Sequence, residues 1–264
     1  MSERTCWLAL LLVAACTRST NLADSAVITE RDGGGLDAQA QDAGPMFDRD
    51  DAGRVRCGSV TCECSDGIDN DGDGETDGFD PECTGAGDAF ESSFATGRKG
   101  EEQSDKCQDC FWDLNSGPGD DGCRWASSCS IDGTSASGNG QCRDCTPEPA
   151  CIDTCTPLVP NGCDCFGCCG IWREGTIKNI LLGSSSCTSA TLDNPQLCTP
   201  CIPSAECANP CGRCELCPGR RVVDLPADCG TGYSCDEGEV CEVNADCSGP
   251  LESCQQGCCR ANGI

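Results

Sequence analysis

The sequence predicts a small disulfide-rich fold, irregular and turn-dominated, with short β-hairpins and little helix, following a disordered tether. Three observations carry that prediction. Cys supplies 32 of the 264 residues, about 12%, above the roughly 8–10% that marks a disulfide scaffold. Leu, Ile, Val and Phe together supply 39 residues, about 15%, below the roughly 20% under which a charged chain is expected to stay disordered. Gly (33 residues) and Pro (14) recur throughout, which breaks the chain into turns. The first two observations conflict unless covalent staples replace the burial that an aliphatic core would give.

Composition also excludes chemistry. There is no His, which removes Ser–His–Asp and Cys–His catalysis and His-containing zinc sites. With 17 basic and 44 acidic residues and a formal net charge of −27, nucleic acid is an unsuitable partner, because its binding rests on Lys and Arg neutralising phosphates.

Residues 1–15 read as a signal peptide. Arg4 gives a thin positive start, and Trp7 to Ala15 is a short apolar run, far from the about 20 residues that span a bilayer. Val13-Ala14-Ala15-Cys16 resembles the bacterial lipobox. That resemblance implies lipid attachment at Cys16, cleavage before it and anchoring through acyl chains. Thr17 follows, not the Asp that retains lipoproteins at the inner membrane of enteric bacteria, so the analogy favours an outer-membrane or cell-surface destination. A plain secretory signal is the competing reading, and it too exports the chain. Residues 16–56 hold no Cys after Cys16, include Gly33-Gly34-Gly35 and show no helical or strand period. They are expected to form a disordered tether.

Residues 57–83 hold nine acidic residues and no basic one. Within them Asp69-Asn70-Asp71-Gly72-Asp73-Gly74-Glu75-Thr76-Asp77-Gly78-Phe79-Asp80 fits DxDxDGxxDxxD. A hard cation such as Ca²⁺ takes oxygen ligands, about 6–8 of them. The spacing turns Asp69, Asp71 and Asp73 inward, places Gly74 where a left-handed residue is needed, offers the Glu75 carbonyl, and adds Asp77 (often through water) and Asp80. The run resembles the thrombospondin type 3 repeat, which lacks flanking EF-hand helices and often clamps its loop by a disulfide. The resemblance implies a structural calcium site and a clamp between Cys64 and Cys83. A solvated acidic linker is the alternative. A weaker acidic cluster, Asp113, Asn115, Asp120 and Asp121, offers either a second ion site or a plain turn.

Thirty cysteines follow residue 56. Their spacing suggests three blocks, each even in number and able to close on itself: 57–83, 107–169 and 187–259. The Cys-free intervals 84–106 and 170–186 are the expected boundaries. We therefore expect one Cys-rich domain over 84–169 and a second over 170–264. A short hairpin is expected where Ile171 and Trp172 precede the apolar run Ile177 to Leu182. Several pairs have CxxC spacing, among them Cys198/Cys201 and Cys211/Cys214. In a reducing compartment these would suggest zinc; export favours disulfides. The adjacent pairs Cys168-Cys169 and Cys258-Cys259 cannot readily bond within themselves, since neighbouring Cα atoms lie about 3.8 Å apart. The run from Cys229 to Cys259 resembles small extracellular modules of whey-acidic or Dickkopf type. The whole pattern resembles Cys-rich envelope lipoproteins of myxobacterial type, a resemblance that implies localisation and no known activity.

The sequence thus predicts an exported, lipid-anchored binding or structural protein, not an enzyme. It is expected to meet the membrane through its lipid and to hold one Ca²⁺; its partner is unknown, a surface protein or glycan being the candidates. A protease-inhibitor-like knotted module is the runner-up, and a thiol-redox enzyme the third reading.

Overall fold

Disulfides decide this architecture, because few other groups can hold a chain with so little aliphatic side chain together. In the computed structural model the described residues are 48–98, 107–113, 122–134, 142, 145–229, 233–235, 238–241, 244–249 and 252–261. The expected signal peptide, Cys16 and most of the expected tether lie outside them. All thirty cysteines from Cys57 onward are paired, in fifteen disulfides. No CxxC pair is bonded within itself. The adjacent cysteines separate as geometry demands: Cys168 bonds Cys201 and Cys169 bonds Cys163, while Cys258 bonds Cys235 and Cys259 bonds Cys247.

Regular structure is sparse among the described residues, as the turn-rich sequence predicts. Strands β1 (Arg56–Cys57) and β2 (Val60–Thr61) pair antiparallel, as do β3 (Cys107–Gln108) and β4 (Trp125–Ala126). Two short helices follow, α1 (Ser127–Asp132) and α2 (Pro149–Cys155). Pro149 opens α2, where its missing N–H costs nothing. Cys151 and Cys155, one turn apart, are its buried residues and fasten it to Cys123 and Cys110.

The largest sheet has four antiparallel strands: β5 (Cys163–Asp164), β6 (Cys168–Arg173), β7 (Thr176–Leu181) and β8 (Ala208–Asn209), in the order β7-β6-β5-β8. Strands β6 and β7 form the hairpin that the apolar run predicts. Glu174 and Gly175 have φ of 49° and 80°, so both central residues of the two-residue turn are left-handed, which matches the twist of the flanking strands. The apolar run is not uniformly buried: Ile180 is 2% exposed, whereas Ile177, opposite Trp172, is 55% exposed. A last hairpin, β9 (Glu252–Gln255) and β10 (Cys258–Ala261), closes the chain.

The main core runs from Phe94 to Cys207. Trp125 stacks on Phe166 with ring centroids 4.6 Å apart, and Phe111 meets Trp112 edge-on at 4.8 Å. The buried indole N–H of Trp112 donates to the Asp164 carbonyl at 2.7 Å. Much of the remaining core surface is cystine, which packs as a small hydrophobe.

Three boundaries differ from those the cysteine spacing suggests. First, residues 48–56 are part of the folded body. Val55 is fully buried beside Cys62 and Ala86, and the Arg49 guanidinium donates to the Glu252 carbonyl. Second, residues 84–98 are no linker: Thr84, Asp88, Glu91, Phe94 and Thr96 are fully buried. Third, the position 169/170 falls inside β6, and Cys165–Cys207 and Cys168–Cys201 join the second and third cysteine blocks. Only the first block closes on itself, through Cys57–Cys62 and Cys64–Cys83. The C-terminal knot is also shorter than expected. Cys229 bonds back to Cys214, and three bridges hold 235–259. Spacing misleads here because it reports proximity along the chain, whereas a disulfide needs proximity in space.

Two outcomes test this architecture. Alkylation without reduction should label none of the thirty cysteines from 57 to 259. Replacing Cys168 and Cys201 together by Ala should lower stability by about 2–5 kcal/mol, measured by thermal unfolding, and loosen the 200–207 segment from β6. Labelling of two or more thiols in the native protein would contradict the first.

Candidate metal centre

The acidic loop leaves one turn of 3-10 helix at Glu63–Ser65 and enters another at Asp77–Phe79. Between them its shape comes from its own carboxylates. Asp69 accepts from the backbone N–H of Gly72 at 2.6 Å and of Gly74 at 3.1 Å. Asp71 accepts from the N–H of Asp73 at 3.0 Å, and Asp73 from that of Glu75 at 2.8 Å. Each is a side chain mimicking a backbone turn. Gly74, at φ 98°, supplies the left-handed step that a side chain would resist. Successive turns of this kind curl the chain and carry every second Asp to one side.

The outcome is two carboxylate groups that share a member. Asp69, Asp71 and Asp73 each bring an oxygen within 4.8 Å of the others, and so do Asp71, Asp80 and Glu82. Four of the expected ligands, Asp69, Asp71, Asp73 and Asp80, are thereby drawn together. Glu75 lies just beyond the turn, its N–H on Asp73, and its side chain belongs to neither group. Asp77 stands elsewhere. It is buried, at φ 50°, and its carboxylate accepts from the N–H groups of Asp66 and Gly67 at 3.1–3.2 Å. It closes the loop entrance and belongs to neither carboxylate group. Of the weaker cluster only Asp113 is described; Asn115, Asp120 and Asp121 lie outside the described residues.

Two further residues shape the site. Glu91 is fully buried, and its carboxylate accepts from the N–H of Asn70 and of Asp77, both at 2.7 Å. It pins both ends of the acidic run at once. No spacing rule could find it, since it lies in a stretch without cysteines or motif. Glu82 is 5% exposed and lies two residues past the pattern's end; only the density of acidic residues around Cys83 hints at it. The disulfide Cys64–Cys83 spans the run.

Burial and neighbouring charges raise the carboxyls at the buried end of this cluster. Asp80 is 4% exposed; its Oδ1 accepts from the N–H of Glu82 and of Cys83, and its buried Oδ2 has no hydrogen-bond partner. Burial first, then the charges of Glu82, Glu91 and Asp73, push its carboxyl up to about 8. Burial likewise pushes Glu91 up to about 7 and raises Glu82, the latter with help from Asp71 and Asp73. Among the described residues no Lys or Arg is ion-paired with Asp69, Asp71, Asp73, Asp80 or Glu82. A buried oxygen without a donor costs about 1–3 kcal/mol, more when charged. A proton or a cation would satisfy it.

The donor set would suit one class of ion. All donors are oxygens, and the cysteines are committed to disulfides, so the site suits a hard cation over zinc or copper. Exposed Asp71 and Asp73 leave room for water ligands, which Ca²⁺ accommodates in its flexible shell. Neither a family model, nor a curated protein, nor a solved structure matches this chain.

The raised carboxyls fix the sign of a pH effect. Unfolded Asp and Glu titrate near about 3.9 and 4.3, while folded Asp80 and Glu91 titrate at about 8 and about 7. Between these limits the folded chain holds protons that the unfolded chain has released, so stability falls as pH rises. In chelator, Tm should be lower at pH 8 than at pH 5. Asp80→Asn, which has no charge to desolvate, should reduce the difference. A Tm in chelator that rises with pH would contradict this assignment.

Proposed function

We propose that this chain is an exported, lipid-anchored protein whose disulfide-stapled body carries one structural Ca²⁺ and binds a protein or glycan at the cell surface. One observation supports the calcium reading above the rest: the buried, unpartnered Oδ2 of Asp80, on a carboxylate grouped with Asp71 and Glu82. The full pairing of thirty cysteines supports folding in an oxidising compartment. The anchor is inferred from Val13-Ala14-Ala15-Cys16 and the outer-membrane destination from Thr17. The role is a structural and binding one, not catalysis. The thiol-redox alternative requires a reactive thiolate, and each CxxC pair here is divided between separate disulfides.

Calcium binding adds its free energy to that of folding. Isolated extracellular loops bind at roughly 10⁻⁴–10⁻³ M. Here the Cys64–Cys83 bridge and the Glu91 clamp hold the loop in shape beforehand, which favours tighter binding.

Calorimetric titration of the full mature chain with Ca²⁺ tests the reading. Asp71, common to both carboxylate groups, is the decisive position: Asp71→Ala should abolish binding. Asn70→Ala should leave it nearly unchanged, because that side chain is exposed and bonds only Asp66 and the Ile68 carbonyl. Absence of heat at millimolar Ca²⁺, or equal loss in both variants, would overturn the calcium site. The anchor has its own test: Cys16→Ser should release the protein from the detergent phase, and a wild-type N-terminal peptide without lipid mass would refute it.

A further inference from the structure

We infer that Glu82, which lies outside the twelve-residue pattern, ligates the same cation and couples it to the disulfide loop Cys187–Cys198. The inference rests on the calcium reading above and adds a ligand and a consequence to it. Glu82 is 5% exposed and brings a carboxylate oxygen within 4.8 Å of those offered by Asp71 and Asp80. The independent sign that this spot takes a positive charge is again Asp80, 4% exposed, with Oδ2 buried and unpartnered.

Glu82 faces two ways. Its Oε1 accepts the backbone N–H of Ser189 at 3.0 Å, across 107 residues of sequence. Ser189 sits within the Cys187–Cys198 loop. Its carbonyl in turn accepts from the Arg173 guanidinium at 2.9 Å, at the end of β6. Without a cation, burial and the neighbouring acidic groups work against an ionised Glu82 in the position from which it accepts the Ser189 N–H. With a cation shared among Asp71, Asp80 and Glu82, that position becomes the favoured one. Ion, Glu82, Ser189 and Arg173 then form one continuous line of contacts from the acidic loop to the central sheet. The coupling needs no large movement; it needs only that the ion stabilise the Glu82 geometry that accepts the Ser189 N–H.

Calcium titration of the full mature chain combined with amide hydrogen exchange tests this. In the wild type, Ca²⁺ should slow exchange both in 69–83 and in 187–198. Glu82→Gln keeps an oxygen for Ser189 but removes the charge. It should weaken Ca²⁺ binding tenfold or more and, at saturating Ca²⁺, protect 69–80 without the calcium-dependent protection of 187–198. If the wild type binds no Ca²⁺, the calcium reading itself fails. If the wild type binds but Glu82→Gln binds equally well, or wild-type exchange at 187–198 does not respond to Ca²⁺, the calcium site stands and the role of Glu82 is overturned.

Discussion

Residues 163–169 carry four cysteines in seven positions, and the described fold hangs on them. Cys163 and Cys169 bond each other across β5 and β6, while Cys165 reaches Cys207 and Cys168 reaches Cys201. Asp164, fully buried between them, accepts from the N–H groups of Phe166, Cys168 and Ser204. Its burial pushes the carboxyl up to about 6, despite those three donors. The backbone of the same segment accepts from Trp112, Phe111 and Leu182. Covalent bonds fix where this segment goes; one carboxylate then satisfies backbone groups that so tight a path would leave unpaired. The aromatic core forms against it, with Phe166 under Trp125.

The acidic loop is seated on this framework, not strung before it. The Pro81 carbonyl accepts from the Gly219 N–H, and Phe79 meets Tyr233 edge-on at 5.6 Å. A Cβ on Gly78 would come within 3.4 Å of the Cys254 Sγ, which shows how closely the loop exit approaches the C-terminal knot. The loop therefore touches segments separated from it by more than a hundred residues. A charge-rich segment gains little by packing, so its place depends on polar bonds and on Cys64–Cys83. This is why the electrostatics of Asp80, Glu82 and Glu91 bear on a body that is otherwise held by disulfides.

The buried cation Arg220 stands in different company from Asp80. Arg220 is 5% exposed, stacks 4.6 Å over Trp172, and donates to the carbonyls of Gly212, Arg213 and Glu215. Its charge is spread over a planar group and met by carbonyl oxygens and an aromatic face. Asp80 has no such company on Oδ2.

The sequence alone determined the kind of fold: cysteine content against aliphatic content required staples, Gly and Pro imposed turns, and the β6–β7 hairpin followed from its apolar run. It also determined that the loop draws Asp69, Asp71 and Asp73 together, because alternate Asp residues with Gly74 set a local turn. Adjacent cysteines were legible as divergent for the same local reason. Tertiary structure alone decided the disulfide map, the absorption of 48–56 and 84–98 into the body, and the continuity of the core across β6. It alone turned Asp77 away from the site and brought in Glu82 and Glu91. The physical reason is range. A turn is set by covalent geometry over a few residues, whereas a disulfide, a buried carboxylate and its N–H partners are matched only when distant segments meet in space.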